Sequence, residues 1–230
     1  MRTAAVLPVK RFALAKRRLG VAVADPLRAQ LARAMVADVL AALAGTPSLE
    51  RTIVVTAEDS VAHSARELGL LVLGDRAERG QSEAVALGVG AALAEGSERV
   101  LCVPGDCPAL DPAELEALLT PAAGPGGRGE VVVVPDRHGT GTNGLLLTPP
   151  DVIRPAFGPG SCARHRALAT AAGVSCRVER PPSLLLDIDT GEDLAVLRER
   201  LARARGRARR TRAALASSPQ AGALCATAVG

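Results

Sequence analysis

The chain has no tryptophan and no tyrosine, and its only phenylalanines are Phe12 and Phe157. Its core must therefore be aliphatic, drawn mainly from the alanine, leucine and valine within a hydrophobic content of 48%. An aromatic stack for a nucleotide base is excluded unless one of the two phenylalanines serves, so backbone and aliphatic contacts are expected instead. Disulfide staples and zinc motifs are missing too. Cys102, Cys107, Cys162, Cys176 and Cys225 are odd in number and show no CxxC spacing, which suits small buried hydrophobes in a reducing compartment. No apolar run is long enough to span a bilayer. The stretch 3–9 is too short for a signal peptide, and Lys10 and Arg11 fall on its wrong side. A soluble cytoplasmic protein without a membrane partner is the expectation. The formal net charge of +4 is concentrated in the last segment, at Arg203, Arg205, Arg207, Arg209, Arg210 and Arg212. The body is close to neutral, which argues against a nucleic-acid surface. A GxxxxGK[ST] loop and a Gly-rich dinucleotide fingerprint after the first strand are both absent, excluding ordinary P-loop and dinucleotide chemistry.

What is present is an alternation of short apolar runs with helical stripes. It predicts strands near 3–8, 52–56, 70–73, 99–103, 131–134, 145–147 and 174–178. Helices are predicted over 25–43, 57–68, 81–93, 112–119, 161–172 and 192–203. This is an α/β chain with a mostly parallel sheet and helices on both faces. One nucleotide-handling domain over 1–204 is expected, followed by an Arg/Ala-rich tail, 205–230, without an apolar stripe and read as mobile.

The organising stretch is Arg99-Val100-Leu101-Cys102-Val103-Pro104-Gly105-Asp106. A buried strand ends in Pro-Gly, and Asp106 lies just past its carboxyl end, where open α/β sheets bind ligands. Asp106 could instead satisfy turn amides, although Asp111-Pro112 already supplies the cap of the next helix. Lysine is the scarce cation. The only two, Lys10 and Lys16, both lie in the loop after the first strand, while arginine is used elsewhere. Two retained ammonium groups suggest compact charges on a phosphate, against the alternative of a solvated basic loop. Gly80-Gln81-Ser82 opens a helix whose first amides suit an anion or a base edge. The run Gly139 to Gly144 permits close backbone approach, or is simply a hairpin connection. In Phe157-Gly158-Pro159-Gly160-Ser161, Ser161 reads as a helix N-cap, with Arg164 and His165 in the first turn. This is a cradle for a carboxylate or phosphate, or an ordinary capped start. Asp187 and Asp189 share one face of an extended segment, and with Asp106 they make a hard oxygen site for Mg²⁺. Thr190 and Asp193 read as a cap for the last helix. These parts suggest nucleotidyl transfer to an ionised acceptor, by alignment and charge neutralisation and without a general base.

Five of these motifs, in order, resemble the phosphoenolpyruvate/2-phospho-L-lactate guanylyltransferases of coenzyme F-420 biosynthesis. They are Leu7-Pro8-Val9-Lys10 with Ala15-Lys16-Arg17-Arg18-Leu19; Pro104 to Pro108; Gly139 to Asn143; Phe157 to Ser161 with Arg164-His165; and Asp187-Ile188-Asp189-Thr190. The resemblance spans about residues 1 to 200. It implies a GT-A-like, Rossmann-related fold and transfer of GMP from GTP to a three-carbon phospho-acid, with release of pyrophosphate. It implies that Asp106, Asp187 and Asp189 hold Mg²⁺, that Thr142, Gly158 and Ser161 meet the acceptor, and that Lys10, Lys16, Arg18 and Gly80 meet GTP. Lys10, Lys16 and Asp106 would be the catalytic group. The next enzyme of the pathway and a second copy of the chain are the implied protein partners. The family often has Gly-Leu-Asn where this chain has Gly80-Gln81-Ser82, which leaves guanine choice open. A molybdopterin nucleotidyltransferase and a catalytically silent nucleotide-binding module are the competing readings.

Overall fold

The computed structural model describes residues 1–13, 19, 25–120, 129–203 and 206–217, with backbone only at 25 and 26. Seven strands form one sheet: β1 (Thr3–Val9), β2 (Arg51–Thr56), β3 (Leu71–Gly74), β4 (Arg99–Cys102), β5 (Glu130–Pro135), β6 (Thr142–Thr148) and β7 (Ser175–Val178). Their order is β3-β2-β1-β4-β6-β5-β7. Only β6 runs against its neighbours. The helices are α1 (Asp25–Ala44), α2 (Asp59–Glu67), α3 (Gln81–Ala94), α4 (Pro112–Leu119), α5 (Ser161–Ala171), α6 (Gly191–Arg203) and α7 (Arg209–Ala216).

The strands are apolar on both faces because both are covered, and their period of two divides the core. Ala5, Leu7, Leu101, Val132 and Leu146 pack under α1, α2, α4, α6 and α7. Ala4, Val6, Val100, Val131 and Leu145 pack under α3 and α5. The expected mostly parallel sheet with helices on both faces is what forms. Gly88 lets α3 lie close to the sheet: a Cβ there would sit 2.4 Å from Val6 Cγ1. As the helix that follows parallel strand β3, α3 begins at the sheet's carboxyl edge. From β1 the chain winds outward through β2 and β3, then crosses back to β4 on the other side. The carboxyl ends of β1 and β4 therefore flank a topological switch point, where such sheets open a ligand crevice.

The reading of 205–230 as a mobile tail needs correction over 209–216. These residues form α7, and Ala208, Ala214 and Leu215 join the core cluster that contains α1. Ala208, in the left-handed region at φ +49°, is a poor N-cap. Asp38 of α1 supplies the cap from another element, accepting from the amides of Arg210 at 3.1 Å and Thr211 at 2.7 Å. Its charge also suits the positive end of α7. Arg207 pairs with Asp111, and Arg212 donates to the Leu201 carbonyl at 2.7 Å. Residues 218–230 lie outside the described set. Among the described residues no helix is long and apolar enough to cross a membrane.

Replacing Asp38 with Ala removes this cap and leaves two helix amides without their acceptor, so it is expected to cost about 1–2 kcal/mol of stability. Urea unfolding of the variant against the parent chain measures the loss, and Asp38→Asn, which keeps an acceptor, should lose less.

Candidate active site

A cleft of about 260 Å³ opens at the switch point. Pro8, Val9, Lys10, Arg11 and Phe12 come from the end of β1, and Pro104, Gly105 and Asp106 follow β4. Gly80, Gln81 and Ala84 bring the start of α3, Ala32, Met35 and Val36 bring the wall formed by α1, and Asp189 closes the acidic side. The first turn of α3 thus borders the cleft with amides that no preceding turn can satisfy. The Phe12 amide is fixed by Glu58 Oε2 at 2.9 Å, and Arg11 pairs with Glu78 at 2.5 Å. Of the expected nucleotide residues, Lys10 and Gly80 line this cleft; Lys16 and Arg18 lie outside the described residues.

The carboxylates converge from two directions. Asp106 arrives on the turn after β4, and Asp187 and Asp189 arrive on the extended segment before α6. A backbone bond from Ile188 N to the Asp106 carbonyl, 3.1 Å, ties the two segments. A complete capping box follows: Thr190 N donates to Asp193 Oδ2 at 2.8 Å, and Asp193 N donates to Thr190 Oγ1 at 3.2 Å. Asp189 N also donates to Asp193 Oδ2. Arg137 balances the Asp193 charge at 2.9 Å. The Asp187 pKa is pushed up to about 6, first by burial and then by the neighbouring Asp106 charge, with Asp189 adding to it. Asn143 opposes this: its Nδ2 donates to Asp187 Oδ1 at 3.1 Å and to the Leu184 carbonyl at 2.9 Å. Among the described residues no three His, Cys, Asp or Glu side chains form a ready metal cluster. Hard oxygen donors whose charges repel one another nevertheless suit Mg²⁺, which commonly takes one or two carboxylates and completes its shell with water and substrate phosphates.

The expected acceptor residues assemble beside the cleft, around α5. Gly160, at φ +71°, is the N-cap, and Ser161 is the first helical residue. The expectation of Ser161 as the cap is corrected by one position, because only a glycine enters the left-handed turn there without strain. Ser161 N donates to the Gly158 carbonyl at 3.0 Å. Arg164 folds back onto carbonyls of the loop, reaching Pro159 at 2.8 Å and Ala156 at 3.2 Å. It braces the loop from which it was expected to offer charge. His165 is wholly buried, bonded to Thr142 and to the Ala156 amide. The expected Arg164/His165 cradle is corrected accordingly: both side chains hold the loop. Ser82 links the two regions, its Oγ accepting from Phe157 N at 2.9 Å. The run 139–141 is a hairpin turn pinned by Asp136, which accepts from the Thr140 and Gly141 amides at 2.9 Å each. Burial would raise the Asp136 pKa, but these amides and the Thr140 hydroxyl hold it below its ordinary value.

The register of β5 and β6 shifts between Val134, paired with Gly144, and Pro135, paired with Thr142. This bulge leaves Asn143 as an extra residue and re-aims the strand end. Thr142 consequently reaches α5, while Asn143 reaches Asp187 on the opposite side. In the sequence Asn143 stood out only as the last residue of the Gly139 to Asn143 motif. The scarcity argument that singled out lysine would have found it, because Asn143 is the only asparagine in the chain.

The seven-stranded sheet of this order, with its cleft at the switch point and acidic residues beside it, has the Rossmann-like fold of solved nucleotidyltransferases. Solved structures agree on the fold. A Desulfovibrio desulfuricans G20 protein described as a nucleotide-diphospho-sugar transferase superimposes with a TM-score of 0.71 at 19% identity, covering 94% of this chain and 95% of that one. A nucleotidyl transferase from Methanothermobacter thermautotrophicus gives 0.60 at 23% identity, covering 88% and 98%. The family model described as "Guanylyl transferase CofC like" matches residues 3–206, and the chain belongs to that family. A phosphoenolpyruvate guanylyltransferase from Conexibacter woesei is 49% identical over 220 residues, covering 94% of this chain and 96% of that protein. A 2-phospho-L-lactate guanylyltransferase from Methanothermobacter thermautotrophicus is 35% identical over 194 residues, covering 84% and 83%.

Because its pKa is raised in the fold, Asp187 holds a proton between its ordinary value and about pH 6 that the unfolded chain has already lost. Stability therefore falls as pH rises through that window, and the whole penalty is present at neutral pH. Asp187→Asn removes this charge and keeps an oxygen for Asn143 Nδ2. It should stabilise the metal-free protein at pH 7.5 by on the order of 2 kcal/mol. The gain should vanish at pH 4, as followed by thermal melting at both pH values.

Proposed function

We propose that the enzyme transfers GMP from GTP to a three-carbon phospho-acid, with phosphoenolpyruvate favoured over 2-phospho-L-lactate, in coenzyme F-420 biosynthesis. The observation that carries the reading is the pairing of a cleft containing Lys10, Gly80 and Asp106 with an adjoining loop region containing Thr142, Gly158 and Ser161. The name of the Conexibacter relative supports phosphoenolpyruvate as acceptor. In the proposed reaction a phosphate oxygen of the acceptor bonds to the α-phosphorus of GTP. The bond from that phosphorus to the β-phosphate oxygen breaks, and pyrophosphate leaves. The acceptor phosphate is already ionised, so no side chain has to remove a proton.

Lys10 and Lys16, with Arg18, are assigned to the triphosphate, and the first turn of α3 at Gly80 and Gln81 to the nucleoside. Asp106, Asp187 and Asp189 are the proposed ligands of Mg²⁺, which when bound would offset charge on the phosphates. Asn143 keeps Asp187 aimed at that position. A homodimer, and contact with the next enzyme of the pathway, complete the proposal.

The direct test is pyrophosphate release with GTP and Mg²⁺, supplying phosphoenolpyruvate, 2-phospho-L-lactate or phosphoglycerate in turn, with the next pathway enzyme and its deazaflavin present to draw off product. Release that requires both GTP and phosphoenolpyruvate is the expected outcome. Release only with ATP or CTP and some other acceptor would sink the guanylyl assignment. Lys10→Ala should lower turnover by about 100-fold or more if its ammonium stabilises charge during transfer, as read by the same assay.

A further inference from the structure

Both ring nitrogens of His165 are bonded, each to a different segment. Nε2 lies 2.9 Å from the Ala156 backbone nitrogen, and Nδ1 lies 3.0 Å from Thr142 Oγ1. A peptide N–H can only donate, so Nε2 must be the bare nitrogen. The ring proton is therefore on Nδ1, and it is donated to Thr142. Burial, followed by the Arg164 charge, pushes the ring's pKa down to about 4, which keeps the neutral form at ordinary pH. Phe157 meets the ring edge-on, with centroids 5.1 Å apart, and fixes its plane.

A hydroxyl has one hydrogen. Thr142 Oγ1 accepts from the imidazole, so its own hydrogen is free to be given elsewhere, and the hydroxyl can serve an anionic oxygen as donor. The geometry points to His165 as a positioning residue that sets Thr142 as a hydrogen-bond donor to a phosphate or carboxylate oxygen of the acceptor. The inference rests on the proposed acceptor role of Thr142. The same ring anchors Ala156, and through it the loop that carries Gly158, so one buried imidazole aligns two of the three acceptor residues. His165 itself touches no substrate.

The test compares Thr142→Val, His165→Gln, His165→Asn and the Thr142→Val/His165→Gln pair in steady-state kinetics, with phosphoenolpyruvate varied at saturating GTP and then the reverse. An Asn amide nitrogen falls near the place of Nδ1 and still donates to Thr142; a Gln amide falls near Nε2 and serves only Ala156. Thr142→Val and His165→Gln should each raise the acceptor KM by about 10-fold, one hydrogen bond's worth. The GTP KM should stay within about two-fold. His165→Asn should restore most of the loss, and the double variant should be no worse than Thr142→Val alone.

Equal rises in both KM values, additive losses in the pair, or an Asn variant as poor as the Gln variant would each overturn the inference. A loss with Thr142→Val and none with His165→Gln removes the role of His165 alone. No loss with Thr142→Val removes the acceptor role of Thr142, and the inference with it. If His165→Gln does not fold, ¹⁵N NMR of histidine in the unaltered protein decides the tautomer: an Nδ1–H ring agrees, and an Nε2–H ring overturns it.

Discussion

The site depends on one amide holding a carboxylate where electrostatics resists it. Asp187 is half-buried beside Asp106 and Asp189, and its raised pKa registers the cost. The bond from Asn143 and the backbone link from Ile188 to Asp106 keep the segment in place regardless. The surrounding architecture serves that convergence. The capping box at Thr190 and Asp193 ends the acidic segment in a rigid helix, and Arg137 neutralises the cap. A charge that opposes folding and yet is kept there fits a site that performs work on charged substrates.

A side-chain bond joins the cleft to the loop before α5. Ser82 on α3 belongs to the cleft side, yet its hydroxyl holds the Phe157 amide of that loop. Ser82, in the first turn of α3, is therefore the bridge between the two regions. A shift of the first turn of α3 would be transmitted to the loop at Phe157 by this bond.

Most of the fold was legible because its signals are local. Apolar runs ended by Pro-Gly or Gly marked strands, and Asp111-Pro112 and Thr190 through Asp193 marked helix starts that the structure contains. Asp106 was legible for the same reason. What escaped depends on partners distant in sequence. The cap of α7 is Asp38, 173 positions before Thr211, and the small residues Ala208 and Ala214 leave little apolar pattern among the arginines. His165 looked like part of a basic first turn, because its partners Thr142 and Ala156 belong to other segments. Arg164 likewise declared a charge, whereas its structural task is to gather carbonyls.

A strand is a binary alternation, and the bulge at Asn143 acts on it as a parity change. Leu145, Leu146 and Leu147 alternate between the two helical layers. Carried upstream without interruption, that alternation would send Thr142 toward the α6 side and Asn143 toward α5. One surplus residue inverts the sequence of facings. The division of the site into an acidic side and an α5 side is thus a matter of counting: the identities of Thr142 and Asn143 state what each group can do, and a single unpaired position states for whom.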